Sequence, residues 1–128
     1  GRYVEAAAAL EVVGHTDAAR VAYQAAAAQW PGDALPRLAL GNVALTRGEL
    51  AEAESDYRQA VELDRTNVAA RNNLAEVLLR RGCVSAARSE IAIATGLVGN
   101  GPLAAAVEDT AVRLAATGKS DEQGCPAP

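Results

Sequence analysis

The chain has no phenylalanine, no methionine, a single histidine and a single tryptophan in 128 residues. With aromatics at 3 %, an interior filled by large rings is excluded. Half of the residues are nonetheless apolar, and alanine dominates them. Alanine fills an interior only where backbones approach closely, and it has the highest helix propensity, so the composition points to an all-α fold. The length suits one compact domain with a working core. Net charge is −4 with both signs interspersed, and no basic stripe speaks for nucleic acid. No apolar run approaches the roughly 20 residues of a membrane span. The two cysteines, Cys83 and Cys125, lack metal-ligand spacing, and there is no glycine-rich phosphate loop, so neither metal nor cofactor is expected. Methionine is missing even at position 1, which is expected of a processed product or an excised fragment that could have lost a signal peptide.

What is present is periodic. Gly14, Gly48 and Gly82 stand 34 residues apart, as do Ala19, Ala53 and Ala87, then Ala26, Ala60 and Ala94. Tyr23, Tyr57 and Ile91 keep the same interval. Each of these glycines separates two amphipathic runs with apolar residues at helical spacing. Glycine is the usual residue for ending a helix in a left-handed conformation, so each unit reads as helix, tight turn, helix. Helices are predicted over 2–13, 16–29, 34–47, 50–63, 68–81, 84–97 and 102–117. Pro102 suits the first turn of the last one and Gly118 its end. That helix has Leu103, Val107, Thr110, Ala111 and Leu114 facing the third unit, with Glu108, Asp109 and Arg113 toward solvent.

The pattern resembles the tetratricopeptide repeat (TPR), whose period is 34 residues. The middle unit matches through Leu40-Gly41, Ala44, Ala53, Tyr57, Ala60 and Leu63-Asp64. The first matches through Tyr3, Leu10, Ala19, Tyr23, Ala26 and Pro31, and the third through Leu74-Ala75, Leu78, Ala87, Ile91 and Ala94. Arg37 and Arg71 replace the family's aromatic opener, while Arg65 and Gly99 replace its closing proline. The resemblance implies a right-handed superhelical solenoid of three repeats, about 1–33, 34–67 and 68–101, capped by helix 102–117. These form one domain, 1–118, followed by a polar tail, 119–128. Small residues at Ala7, Gly41 and Ala75 let the paired helix approach, and Tyr23, Tyr57 and Ile91 fill the space between units.

Two readings of the cysteines stand side by side. The last helix should run antiparallel to 84–97, which returns its end to the Gly82-Cys83 turn. Seven residues from Gly118 to Cys125 reach up to ~23 Å, enough for a Cys83–Cys125 disulfide. Such a bridge implies an oxidising compartment, periplasmic or envelope-associated. The other reading is a small turn residue and a disordered tail with a free thiol, compatible with the cytoplasm.

Catalytic residues are few. His15 occupies the place in the first unit that Cys83 occupies in the third. At ~8–10 Å per helix layer, two units separate them by on the order of 20 Å, too far for a nucleophile and its base. Glu49, Glu52, Glu54 and Asp56 read as a solvated face of the helix beginning at Leu50, with Glu54-Arg58 as an i,i+4 pair. No enzymatic activity is expected of this segment.

The resemblance instead implies a groove, lined by the first helices of the units, that takes a peptide or partner segment. Its residues would be Val4, Ala8, Glu11 and Val12, then Leu35, Leu38, Asn42, Leu45 and Thr46, then Ala69, Asn72, Asn73, Glu76, Leu79 and Arg80. Asn42 and Asn73 match amide places that some members use to grip a terminal carboxylate. Val4, Leu38 and Ala69 stand where the accompanying lysines belong, which argues against that grip. Two further readings stand beside the interaction module. The Gly101-Pro102-Leu103 step and the terminal Cys-Pro are similar to the carboxy-terminal part of envelope proteins with a papain-like, C39-type peptidase domain, which would make this a non-catalytic accessory domain. Alternatively Tyr3, Val4 and Leu10 on the first helix support self-association as a homodimer.

Overall fold

The computed structural model describes residues 16–117 and Cys125. The expected first helix, 2–13, lies outside the described residues, as do Gly14 and His15. All regular structure among the described residues is helical: α1 (Thr16–Gln29), α2 (Ala34–Thr46), α3 (Leu50–Leu63), α4 (Val68–Arg80), α5 (Val84–Val98) and α6 (Ala104–Thr117). The first five follow the sequence expectation to within a residue. The last begins two residues later than expected. Gly101 N–H donates to the Val98 carbonyl at 2.9 Å and Ala104 N–H to the Gly101 carbonyl at 3.0 Å, so Pro102 belongs to a tight turn ahead of the helix.

The α2–α3 and α4–α5 turns are built alike. Gly48 and Gly82 have φ of 74° and 83°, a region in which a side chain is strained. Gly48 N–H donates to the Leu45 carbonyl at 3.0 Å and Glu49 N–H to the Ala44 carbonyl at 2.9 Å. Gly82 and Cys83 repeat this onto Leu79 and Leu78, at 3.1 and 2.8 Å. This is the Schellman arrangement, which satisfies the last carbonyls of a helix. It also makes Glu49 and Cys83 the residues that immediately precede α3 and α5. The other side of each pair starts on a polar cap: Asp33 accepts from Leu35 N–H and Asn67 from Ala70 N–H, both at 3.0 Å.

The chain falls into two compact units, residues 1–64 and 65–128. In the first, α2 packs against both α1 and α3. Tyr23 and Ala27 of α1 bury against Leu40 and Val43 of α2. Tyr57 of α3 is fully buried, and its ring lies over Gly41. A methyl group added at Gly41 would stand 2.5 Å from the Tyr57 Cε1. Glycine there is what lets an aromatic ring occupy an otherwise alanine-lined interface, within the same helical pair.

In the second unit α4, α5 and α6 pack on one another. Ala70, Leu74, Val77, Leu78, Ala87, Ile91 and Ala94 form the buried sides of α4 and α5, and α6 contributes Val107, Thr110 and Leu114. Two members of the expected α6 stripe differ: Ala111 is half-buried and Leu103 is 39 % exposed. Leu103 sits in the turn that displaces the start of the helix, so it is not on the buried stripe. The Thr110 hydroxyl, buried, donates to the Ala106 carbonyl at 3.1 Å, which accounts for a polar atom in this interface.

Candidate binding surface

In the first unit α2 buries Leu40, Gly41, Val43 and Ala44. Its remaining face carries Leu35, Asn42 and Thr46, exposed, with Leu38 and Leu45 half-buried. Leu35 is 49 % exposed. The polar members of this face are fixed in place. The Tyr57 phenol donates to Asn42 Oδ1 at 2.6 Å, so the carboxamide is oriented from beneath by the ring that rests on Gly41. The Thr46 hydroxyl turns back onto the Asn42 carbonyl at 2.9 Å. The residues assigned to this face from the sequence therefore share one side of one helix.

In the second unit Ala69, Asn72, Asn73, Glu76 and Leu79 of α4 are half-buried and Arg80 is exposed. Asn72 Oδ1 is buried and accepts no hydrogen bond. Glu76 differs from its expected role. It receives Arg80 at 3.0 Å and Arg113 from α6, whose guanidinium holds the Glu76 carboxyl below its ordinary range. Glu76 thus ties α6 to α4, and Arg113 is drawn back to the protein. Val4, Ala8, Glu11 and Val12 lie outside the described residues, as do Tyr3 and Leu10.

Cys83, buried at the start of α5, and Cys125, exposed, have their Sγ atoms 2.03 Å apart with Cα atoms at 4.7 Å. Their union closes a loop of 42 residues that contains α5 and α6. Among the described residues no group of three or more His, Cys, Asp or Glu could hold a metal ion, and no helix is long and apolar enough to cross a membrane.

The acidic residues of α3 do not form a uniformly solvated face. Glu54 is 2 % exposed, and its compensating charge comes from Arg58 Nε at 3.0 Å. A carboxylate removed from water needs such a partner, which is why the pair survives burial. Glu49 binds Arg20 at 2.9 Å and Arg47 at 3.1 Å, and Arg47 also reaches Asp17. The hydrogen bonds from Arg20 and Arg47 keep the Glu49 and Asp17 carboxyls, respectively, below their ordinary values.

A further pair was hidden in the departures from the repeat pattern. Arg37 and Arg71, which replace the aromatic opener, face Asp56 and Glu90, themselves 34 residues apart. Arg71 Nη1 donates to Glu90 Oε2 at 2.9 Å, with both side chains largely buried. Arg37 Nη1 stops 3.8 Å from Asp56 Oδ1, beyond a hydrogen bond. The aspartate is one methylene shorter. Burial raises its pKa from 3.8 to about 6, and the attraction of Arg37 does not offset this. The two charged pairs at one repeat interval were the signal available in the sequence.

Comparison with known proteins agrees with this architecture. The TPR repeat family model matches residues 41–82, a third of the chain, spanning α2 from Gly41 to the Gly82 turn. That stretch is similar to a tetratricopeptide repeat, and the fold of the described residues is all-α and TPR-like. Among solved structures, the Yersinia enterocolitica type III secretion translocator chaperone SycD is similar at a TM-score of 0.84 and 21 % identity, over 91 % of this chain and 83 % of that one. SycD in complex with a peptide of the translocator YopD gives 0.83 and 21 %, covering 92 % and 93 %. PcrH in complex with the chaperone-binding region of PopD gives 0.83 and 22 %, covering 92 % of each chain. At these identities the likeness is one of fold. No curated protein matches the sequence significantly. Nothing in these comparisons supports the resemblance to C39-type peptidase proteins.

Proposed function

We propose that this chain is a non-catalytic protein-binding module that takes an extended segment of a partner protein on the open face of α2. The observation that carries the reading is the α2 face. Leucines 35, 38 and 45 remain partly accessible on a helix whose other side is packed by α1 and α3. Apolar side chains retained there gain only when a partner covers them, at ~25 cal/mol per Å² of apolar area removed from water. Asn42, held by the Tyr57 phenol, places a carboxamide beside these apolar positions, the combination that fixes an extended backbone. The fold is shared with SycD and PcrH, whose complexes hold a peptide of the translocator YopD and the chaperone-binding region of PopD, which supports a segment over a folded domain as the partner.

A photo-crosslinking residue at Leu38 tests this in cells of the source organism, with the exposed Ser89 on α5 as the control position. Adducts from position 38 that map to one segment of one protein, and that are lost with Leu35→Glu, are expected. Equal adduct patterns from both positions would remove the α2 face as the site. We also propose that the chain works in an oxidising compartment, periplasmic or envelope-associated, because a persistent Cys83–Cys125 bond needs one. Alkylation of the protein taken directly from cells should then find no free thiol; two alkylated cysteines would place it in a reducing compartment.

A further inference from the structure

On the side of α2 opposite the leucine face, the first unit contains a cleft of about 310 Å³ between α1, α2 and α3. Arg20 and Gln24 of α1, Arg37, Leu40 and Ala44 of α2, and Glu52, Ser55 and Asp56 of α3 line it. Its two arginines and two carboxylates are not matched pair to pair. Arg20 is taken up by Glu49, outside the cleft, at 2.9 Å. Arg37 is left facing Asp56, and Glu52 lies near Arg20 and Asp56. Arg37 approaches Asp56 only to 3.8 Å, and no hydrogen bond reaches the Asp56 carboxylate from any described residue. The equivalent pair one repeat later, Arg71–Glu90, is closed at 2.9 Å by the longer glutamate, so the opening at Asp56 is a property of this repeat. The position equivalent to Ala44 is Leu78, so the first unit also has the smaller residue at the cleft floor.

We propose that this cleft is a second binding site, which takes the side chain of a lysine from a protein segment, with its ammonium on Asp56. The alkyl stem runs over Leu40 and Ala44, and the ammonium supplies the carboxylate with the hydrogen bonds that Arg37 does not reach to give. Glu52 lies on the same side and adds attraction. The charge left over in the cleft after Arg20 is paired is negative, which favours a cation over an anion. The site is distinct from the open face of α2, and it stands whether or not that face binds a partner.

Binding should track the ionisation of Asp56, with Arg20, Arg37 and Glu52 as the charged groups that face it. The test is carbon-detected NMR titration of the Asp56 carboxyl, with Nα-acetyl-lysine methylamide as the probe and the norleucine analogue as its neutral counterpart. The lysine derivative should move the Asp56 midpoint down from about 6 toward 3.8 and shift the amides of residues 20, 37 and 52–56. The norleucine analogue should do neither. Affinity for the lysine derivative should fall about tenfold between pH 7 and pH 5. Asp56→Asn removes the anion, and Asp56→Glu keeps it but lets it close on Arg37 as Glu90 closes on Arg71. Both should lose the probe while keeping the helical circular dichroism of the parent. An unmoved midpoint, an equal response to norleucine, or undiminished binding by Asp56→Glu would each overturn the proposal.

Discussion

Replacing Asp56 by asparagine should make the folded protein more stable at neutral pH and leave it unchanged in acid. The carboxyl has a pKa of about 6 when folded against 3.8 when unfolded, because burial disfavours its charged form more than Arg37 favours it. Above pH 6 it is ionised in both states, and the folded state alone bears the desolvation. Two units of difference correspond to about 3 kcal/mol at most. As pH falls through 6 the folded protein takes up the proton first and recovers that stability, and below 3.8 both states are protonated and the difference is gone. Asparagine has the same shape and no charge at any pH. The variant's advantage should therefore rise from near zero at pH 3.8 to its full value above pH 6, with a gain in melting temperature on the order of 10 °C. Urea denaturation of both proteins, disulfide intact, at half-unit steps of pH would trace this curve. A variant no more stable than the parent at pH 7, or an advantage that does not vary with pH, would refute the reasoning.

Gly41→Ala forces its new methyl group into the Tyr57 ring, which is fully buried and has nowhere to turn, so a loss of roughly 1–3 kcal/mol in urea denaturation is expected. Adding Tyr57→Leu should recover part of it. Tyr57→Phe removes the phenol that orients Asn42, costing about 1 kcal/mol in stability with no change in helix content. Cys125→Ser opens the 42-residue loop and should cost up to about 4 kcal/mol, and reduced parent and variant should then melt at the same temperature. Arg113→Met should raise the Glu76 titration toward 4.5. Because the folded Glu76 carboxyl lies below its unfolded value, it stabilises above that value and loses the contribution as pH falls, so the variant should show a shallower loss of stability in acid.

The elements were legible because they rest on backbone requirements that single residues report. Gly48 and Gly82 mark positive φ, and the 34-residue interval places every helix between such marks. Gly41 and Tyr57 were recognisable as repeat positions, but not as partners of each other, since a ring seated on a glycine is a matter of depth and periodicity carries only direction. The charged groups were the least legible. Glu54 has the sequence context of a surface residue and is buried, because its partner Arg58 travels with it one turn along α3. Arg37–Asp56 and Arg71–Glu90 join residues 19 apart on two helices, a spacing that no intrahelical rule examines. The late start of α6 depends on two turn hydrogen bonds around Gly101, and Pro102 by itself is compatible with either side of that boundary.

An interior of alanines brings helices close but removes little apolar area per residue, so other devices must hold the fold. In the first unit that device is the pair of buried tyrosines, one against Leu40 and Val43 and one over Gly41. In the second unit an isoleucine occupies the corresponding place on α5, and the large ring is absent. There α6 is fixed from two directions instead, by Arg113 on Glu76 and by the Cys125 tether onto the first residue before α5. Neither device in the second unit depends on packing area, and each yields to a different condition, acid for one and reductant for the other. Loss of the tether should thus loosen residues 65–128 and leave 16–64 intact. Amide exchange would show it: faster exchange confined to α4, α5 and α6 after reduction is the expected result, and equal acceleration in α2 and α3 would mean that the bond stabilises both units alike.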